Sequence, residues 1–126
     1  MDQKAEKTRF SDEELTEFKN IIVRKLERAK NQYEFYLGQL SDMADNADAK
    51  IKGLDDGIGT AENERISSMA ARQQKLIQHL ENALIRVQNK VYGVCRVTGQ
   101  LISKERLKAV PHATLSIEAK QKRLKK

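Results

Sequence analysis

Two stripes of apolar residues, each repeating at steps of three and four, constrain this chain more than any other feature. The first runs through Leu15, Phe18, Ile22, Leu26, Ala29, Tyr33, Tyr36, Leu40 and Met43. The second runs through Ile66, Met69, Leu76, Leu80, Ala83 or Leu84, Val87 and Val91, with Gln73 as a polar interruption. A 3.6-residue period puts each set on one helix face, and the near-heptad spacing makes a seam that another helix can cover. Between them, residues 44–60 (ADNADAKIKGLDDGIGT) lose the stripe and gather Asp, Asn and Gly, the chemistry of turns. The pattern predicts a long antiparallel coiled-coil hairpin over residues 11–91, with its tip at about 44–60. Each arm of roughly thirty residues, at 1.5 Å per residue, would extend about 45 Å.

Helix-start signals agree with this layout. Ser11 precedes Asp12, Glu13 and Glu14, so its hydroxyl can accept from a backbone N–H while Glu14 reaches back, and the acids suit the positive end of the helix dipole. Thr60, with Glu62 and Glu64 close behind, is expected to cap the second arm. Gly38 is the single glycine inside the first stripe and is tolerable there at a cost of about 1 kcal/mol. Residues 1–10 read as a polar leader.

With 39% hydrophobic and 33% charged residues among 126, the chain lacks the apolar content for a thick globular core. Three Tyr, three Phe, no Trp and one Pro favour uninterrupted helix over an all-β design. No run of about 18 apolar residues occurs and the first ten residues are unlike a signal peptide, which predicts a cytoplasmic protein with no membrane partner. One cysteine cannot form an internal disulfide, in keeping with a reducing compartment.

Residues 92–126 follow a different pattern. Val94, Val97, Leu101 and Ile102 flank Thr98-Gly99 and read as a short β-hairpin, Lys104–Val110 as a helical turn ended by Pro111, and His112–Lys126 as a basic C-terminal helix. The fold class is therefore mainly α, a coiled-coil hairpin plus a small C-terminal module. Cys95, Thr98, Ser116 and Ala119 stand where a four-cysteine zinc ribbon would carry its two CxxC pairs, so three of the four thiolates are missing. Tetrahedral zinc needs four N, S or O ligands, and near this point only Cys95 and His112 are of the right type. No metal is expected. Cohesion is expected from Val94, Val97, Leu101, Ile102, Leu107, Leu115 and Ile117, with the Thr98 and Ser116 hydroxyls bonded to turn backbone. His79 and His112 read as isolated surface residues. Cys95 has no base and orienting partner in view, and GLDDGIG lacks the Lys of a phosphate-binding loop, so no catalytic residue is assigned and the chain reads as a non-enzyme.

The order of a long helical hairpin followed by YGxCxxxGxxIxxxRLxxxPxAxLxIxxK, from Tyr92 to Lys120, resembles the DksA/TraR family of bacterial transcription regulators, with a degenerate, cysteine-depleted zinc finger. From Lys75 to Lys120 the chain aligns with that family without a gap. The resemblance implies a regulator that binds RNA polymerase directly and inserts an acidic coiled-coil tip, carrying Asp-x-x-Asp-x-Ala, through the secondary channel. This sequence offers Asp45 and Asp48, with Lys50 where the family has Ala, and Asp55 and Asp56, which lie closer to the expected distance before Cys95. Asp55 and Asp56 are the first choice for the tip and Asp45 and Asp48 the second. The resemblance also implies polymerase docking or nucleotide contact through Arg106, Lys120 and Arg72. Guanosine tetraphosphate is the one cofactor it raises, and Val110 and His79 standing where basic residues are expected weigh against it.

Charge is unevenly spread in a way that suits this reading. Residues 42–62 hold six acids against Lys50 and Lys52, whereas residues 104–126 hold eight Lys or Arg against two Glu. The asymmetry suggests an acidic working end and a basic docking end, and the resemblance implies RNA polymerase as partner, with no sequence-specific DNA reading and a monomeric state expected. The alternative is a basic nucleic-acid-binding or helical adaptor module without polymerase activity.

Overall fold

The computed structural model describes residues 9–45 and 56–125, with side chains from 9 to 45 and from 61 to 122. The fold is mainly α. Helices α1 (Asp12–Asp45) and α2 (Asp56–Gln88) are the arms of a coiled-coil hairpin, followed by the short α3 (Lys104–Ala109) and α4 (Ile117–Lys125). Among the described residues no helix is long and apolar enough to cross a membrane. The chain divides into two compact units: the chain up to Lys25 together with that from His79 onward, and Leu26–Gln78.

The first unit is built around the start of α1. The Glu14 N–H donates to Ser11 Oγ at 3.1 Å and the Ser11 N–H donates to Glu14 Oε1 at 2.8 Å, a reciprocal capping box that satisfies amides the first turn would otherwise leave bare. The chain just ahead of that cap is not a polar leader throughout, because Phe10 is buried. Phe10 packs on Phe18 at a ring distance of 5.3 Å, and Phe18 packs on Tyr92 at 5.2 Å, both tilted, the arrangement aromatic quadrupoles favour. Leu15, Ile22, Leu80 and Ala83 extend this core along the two helices.

Helix α2 stops at Gln88 rather than running to Val91. Lys90 adopts φ 63°, its N–H bonds to the Val87 carbonyl, and the Val91 N–H bonds to the Arg86 carbonyl, both at 3.0 Å. These two bonds form a Schellman motif with a lysine in the left-handed position that glycine usually takes. Val91, placed on the apolar seam by its spacing, is 50% exposed as a result.

Beyond this stop, the expected β-hairpin narrows to a single antiparallel bridge, Val94 with Leu101. Beside it the Cys95 N–H bonds to the Gln100 carbonyl at 2.8 Å and the Ile102 N–H to the Gly93 carbonyl at 2.7 Å. The Gly99 N–H bonds to the Cys95 carbonyl at 2.8 Å, closing a tight turn, and the Arg96 N–H bonds to the Thr114 carbonyl at 3.0 Å. Val97 is 59% and Ile117 48% exposed, so neither supplies the cohesion expected of it. Ile102 and Leu107 are buried as expected, and Tyr92, Cys95, Pro111, Ala113 and Ala119 join them. The last helix begins at Ile117, not His112, because Ser116 caps it: its Oγ accepts from the Ala119 N–H at 3.1 Å.

In the second unit the buried positions are Leu26 and Ala29 on α1 and Ile66 and Ala70 on α2. Small residues at half of these sites permit close backbone approach, while Phe35, beside Tyr36, stays exposed. Thr60 does not cap α2, which starts four residues earlier at Asp56. The segment 46–55, where the turn is expected, lies outside the described residues.

Gly93 is the point at which this packing allows no side chain. Its φ is +81°, and an added Cβ would lie 2.4 Å from Phe10 Cε2, whereas Gly99 at φ +75° faces open space. Gly93→Ala is expected to cost about 2–5 kcal/mol, left-handed strain plus overpacking, and Gly99→Ala only the strain of about 1–2 kcal/mol. Urea unfolding of the two variants measures the difference.

Candidate functional site

Four positions that sequence spacing sets apart are gathered at one place. The Ser116 N–H donates to Cys95 Sγ at 3.3 Å, and the Cys95 thiol donates to Ser116 Oγ at 3.7 Å. Thr98 also hydrogen-bonds the sulfur. Ala119 reaches the group through its N–H on Ser116 Oγ. Burial by itself pushes the Cys95 thiol up. Hydrogen bonds from the Thr98 hydroxyl and from the backbone N–H groups of Ser116, Thr98 and Val97 outweigh it and bring the thiol down to about 6.

Basic residues meet carboxylates where this assembly joins the start of α1. Lys104 Nζ lies 2.6 Å from Glu14 Oε2, and this hydrogen bond raises the ammonium. Lys90 Nζ lies 2.8 Å from Asp12 Oδ1 and holds that carboxyl below its usual range. Of the residues assigned to docking, Arg106 is tied inward, its Nε donating to the Leu115 carbonyl at 2.8 Å. Lys120 is exposed on α4, and Arg72 is exposed on α2 in the other unit. Arg106 therefore differs from the exposed Lys120 and Arg72 in having its guanidinium bonded to backbone. Asp45 is exposed at the last position of α1 and Asp56 is the first residue of α2, while Asp48 and Asp55 lie outside the described residues.

The two histidines are not isolated. Their rings stack, 5.3 Å apart and 7° from parallel. The His112 carbonyl accepts from Arg86 Nη2 at 3.4 Å, and His112 Nδ1 is buried without a hydrogen-bond partner. Burial, then the nearby His79, Lys25 and Arg86, lower its pKa below 6.5. Nothing in the sequence announces this pair, because the residues are 33 positions apart and the turn at Pro111 decides the ring's direction. Tyr92 was equally hidden: its OH donates to the Pro111 carbonyl at 2.8 Å inside the core, and burial raises its pKa.

A sequence model for the prokaryotic dksA/traR C4-type zinc finger matches residues 90–123. RNA polymerase-binding transcription factor DksA of Caulobacter vibrioides is 47% identical over 51 residues, which is 40% of this chain and 36% of that protein. General stress protein 16O of Bacillus subtilis is 34% identical over 85 residues, 66% of this chain and 48% of that protein. The structure of transcription factor DksA2 from Pseudomonas aeruginosa matches with a TM-score of 0.74 at 26% identity, covering 88% of this chain and 83% of that one. The finger segment is thus similar to that of the DksA/TraR family, and the fold to that of a DksA protein. The matched stretches span half or less of the length of the curated relatives.

The family finger is of the four-cysteine type, and the residues here do not fit a zinc ion. One position is a thiol, two are hydroxyls already bonded to backbone or sulfur, and the fourth is a methyl group. Among the described residues no group of three or more His, Cys, Asp or Glu is placed to hold a metal.

The stacked histidines generate a pH dependence. His112 titrates lower in the folded chain than in the unfolded one, so its contribution is complete above pH 6.5 and is lost as pH falls toward its folded value. Thermal midpoints are expected to fall from pH 6.5 to 5, and the fall should be smaller in His112→Phe, which keeps a ring against His79 but cannot titrate. Cys95 acts in the same direction and remains in that variant, so the difference between the two proteins isolates His112.

Proposed function

We propose that this protein is a regulator of transcription that binds RNA polymerase directly and has no catalytic activity of its own. The observation that carries the reading is the match to the Pseudomonas aeruginosa transcription factor over most of both chains. The 47% identity of part of the chain to a Caulobacter protein named as RNA polymerase-binding supports it. In this reading the unit containing the finger docks on the polymerase surface, and the acids where the chain passes from α1 to α2 enter the secondary channel. Carboxylates there can accept hydrogen bonds from basic groups or alter the surroundings of a bound Mg²⁺ without reacting themselves. Asp55 and Asp56 are the leading tip residues, with Asp45 and Asp48 next. Lys120, exposed on α4, is the docking cation of choice, since Arg106 is committed to the Leu115 carbonyl. Promoters whose open complexes are near balance would respond most, because a bound factor moves an equilibrium only by its differential affinity. No step in this scheme requires guanosine tetraphosphate.

Capture of core RNA polymerase by the purified chain, followed by in vitro transcription, tests the proposal. The double variant Asp55→Asn, Asp56→Asn is expected to bind as the parent does and to lose most of the effect on transcription. Lys120→Glu is expected to weaken capture by up to about 1 kcal/mol and to reduce its salt dependence. A parent chain that fails to bind polymerase, or one that acts unchanged with both tip acids neutralised, refutes it.

A further inference from the structure

The geometry points to a finger held together by the Cys95 sulfur in place of a metal ion: hydrogen bonds converging on one sulfur join the 95–100 turn to the start of α4, the two segments that four thiolates would otherwise clamp. The inference stands whether or not the protein binds polymerase. It begins from the donor set. A structural zinc site closes four ligands around the ion, and Cys, His, Asp and Glu are the side chains that do so. Ser116 uses its N–H on the sulfur and its hydroxyl oxygen on both the thiol and the Ala119 N–H, so this oxygen is turned to the helix amide and the sulfur. Thr98 Oγ1 accepts from the Gln100 N–H at 3.2 Å. Cys95 is 1% and Ala119 3% exposed, so the place of the fourth thiolate is packed methyl.

His112, the one histidine in the finger, is no substitute ligand. Its ring lies flat against His79, so the two sets of ring lone pairs run parallel instead of converging on one point. The charges facing it, Lys25 from α1 and Arg86 from α2, would repel a dication. Other ties run in parallel with the sulfur: Arg96 N–H to the Thr114 carbonyl, Arg106 Nε to the Leu115 carbonyl and Tyr92 OH to the Pro111 carbonyl. Each links the 92–106 stretch to the 111–115 stretch, which is the connection a metal would make. The sulfur completes the series at its far end, Ser116.

Metal analysis and thermal unfolding of the purified full chain decide the matter. Far less than one zinc per chain, and a midpoint unmoved by excess EDTA, are expected. Cys95→Ala removes the hub and should lower the midpoint by about 4–8 °C. Cys95→Ser keeps a donor and acceptor at the same atom and should lose less. If Cys95→Ala does not fold, the serine variant and the chelator comparison still carry the test. Stoichiometric zinc, a chelator-induced fall in midpoint, or a Cys95→Ala protein as stable as its parent would each overturn the inference.

Discussion

The contact on which the first unit depends is the tilted stack of Phe10, Phe18 and Tyr92 over the bare Cα of Gly93. It gathers three segments: the residues ahead of α1, the adjoining first turns of α1 and, far along the chain, the exit from α2. Tyr92 is fully buried and its hydroxyl continues the link to Pro111, a fourth segment. Aromatic rings bury a large area at little conformational cost, and Gly93 lets Phe10 close over the backbone. Remove that closure and the strand pairing left in the finger is the single bridge of Val94 with Leu101.

The ion pairs around this stack follow from it. Asp12 with Lys90 and Glu14 with Lys104 join the start of α1 to the end of α2 and to α3, yet three of the four side chains are more than half exposed. Exposed pairs are screened by water and contribute little, so they select an orientation already favoured by apolar packing. The same hierarchy explains Lys90. A lysine with positive φ is strained, and the Schellman bonds together with the partner Asp12 hold it there. That stop turns the chain so that Tyr92 enters the core.

The candidate site combines parts of different legibility. The spacing of Cys95, Thr98, Ser116 and Ala119 was readable because a tight turn and a capped helix need few residues, and each leaves a local signature. Their convergence could be anticipated only through the family pattern. Arg106 shows the limit in the other direction. As a cation in a basic stretch it reads as a surface group, but its guanidinium is spent on the Leu115 carbonyl, a partner that no local rule indicates. His79 and His112 likewise read as two solvated rings until the fold stacks them.

What the sequence alone determined is what local periodicity encodes: two long helices, the capping box at Ser11, the Gly- and Asp-rich break between them, the turn at Gly99, and the departure of the finger from a full set of thiolates. Those features depend on residues within a few positions of one another, and the physics of caps, turns and amphipathic faces acts at that range. Tertiary structure alone decided that Phe10 is core, that α2 ends at Gln88, that the hairpin shrinks to one bridge, and that Val97 and Ile117 face outward. Each of these is a competition between alternative partners for the same backbone group or apolar face. Only the folded chain brings the winning partner within reach.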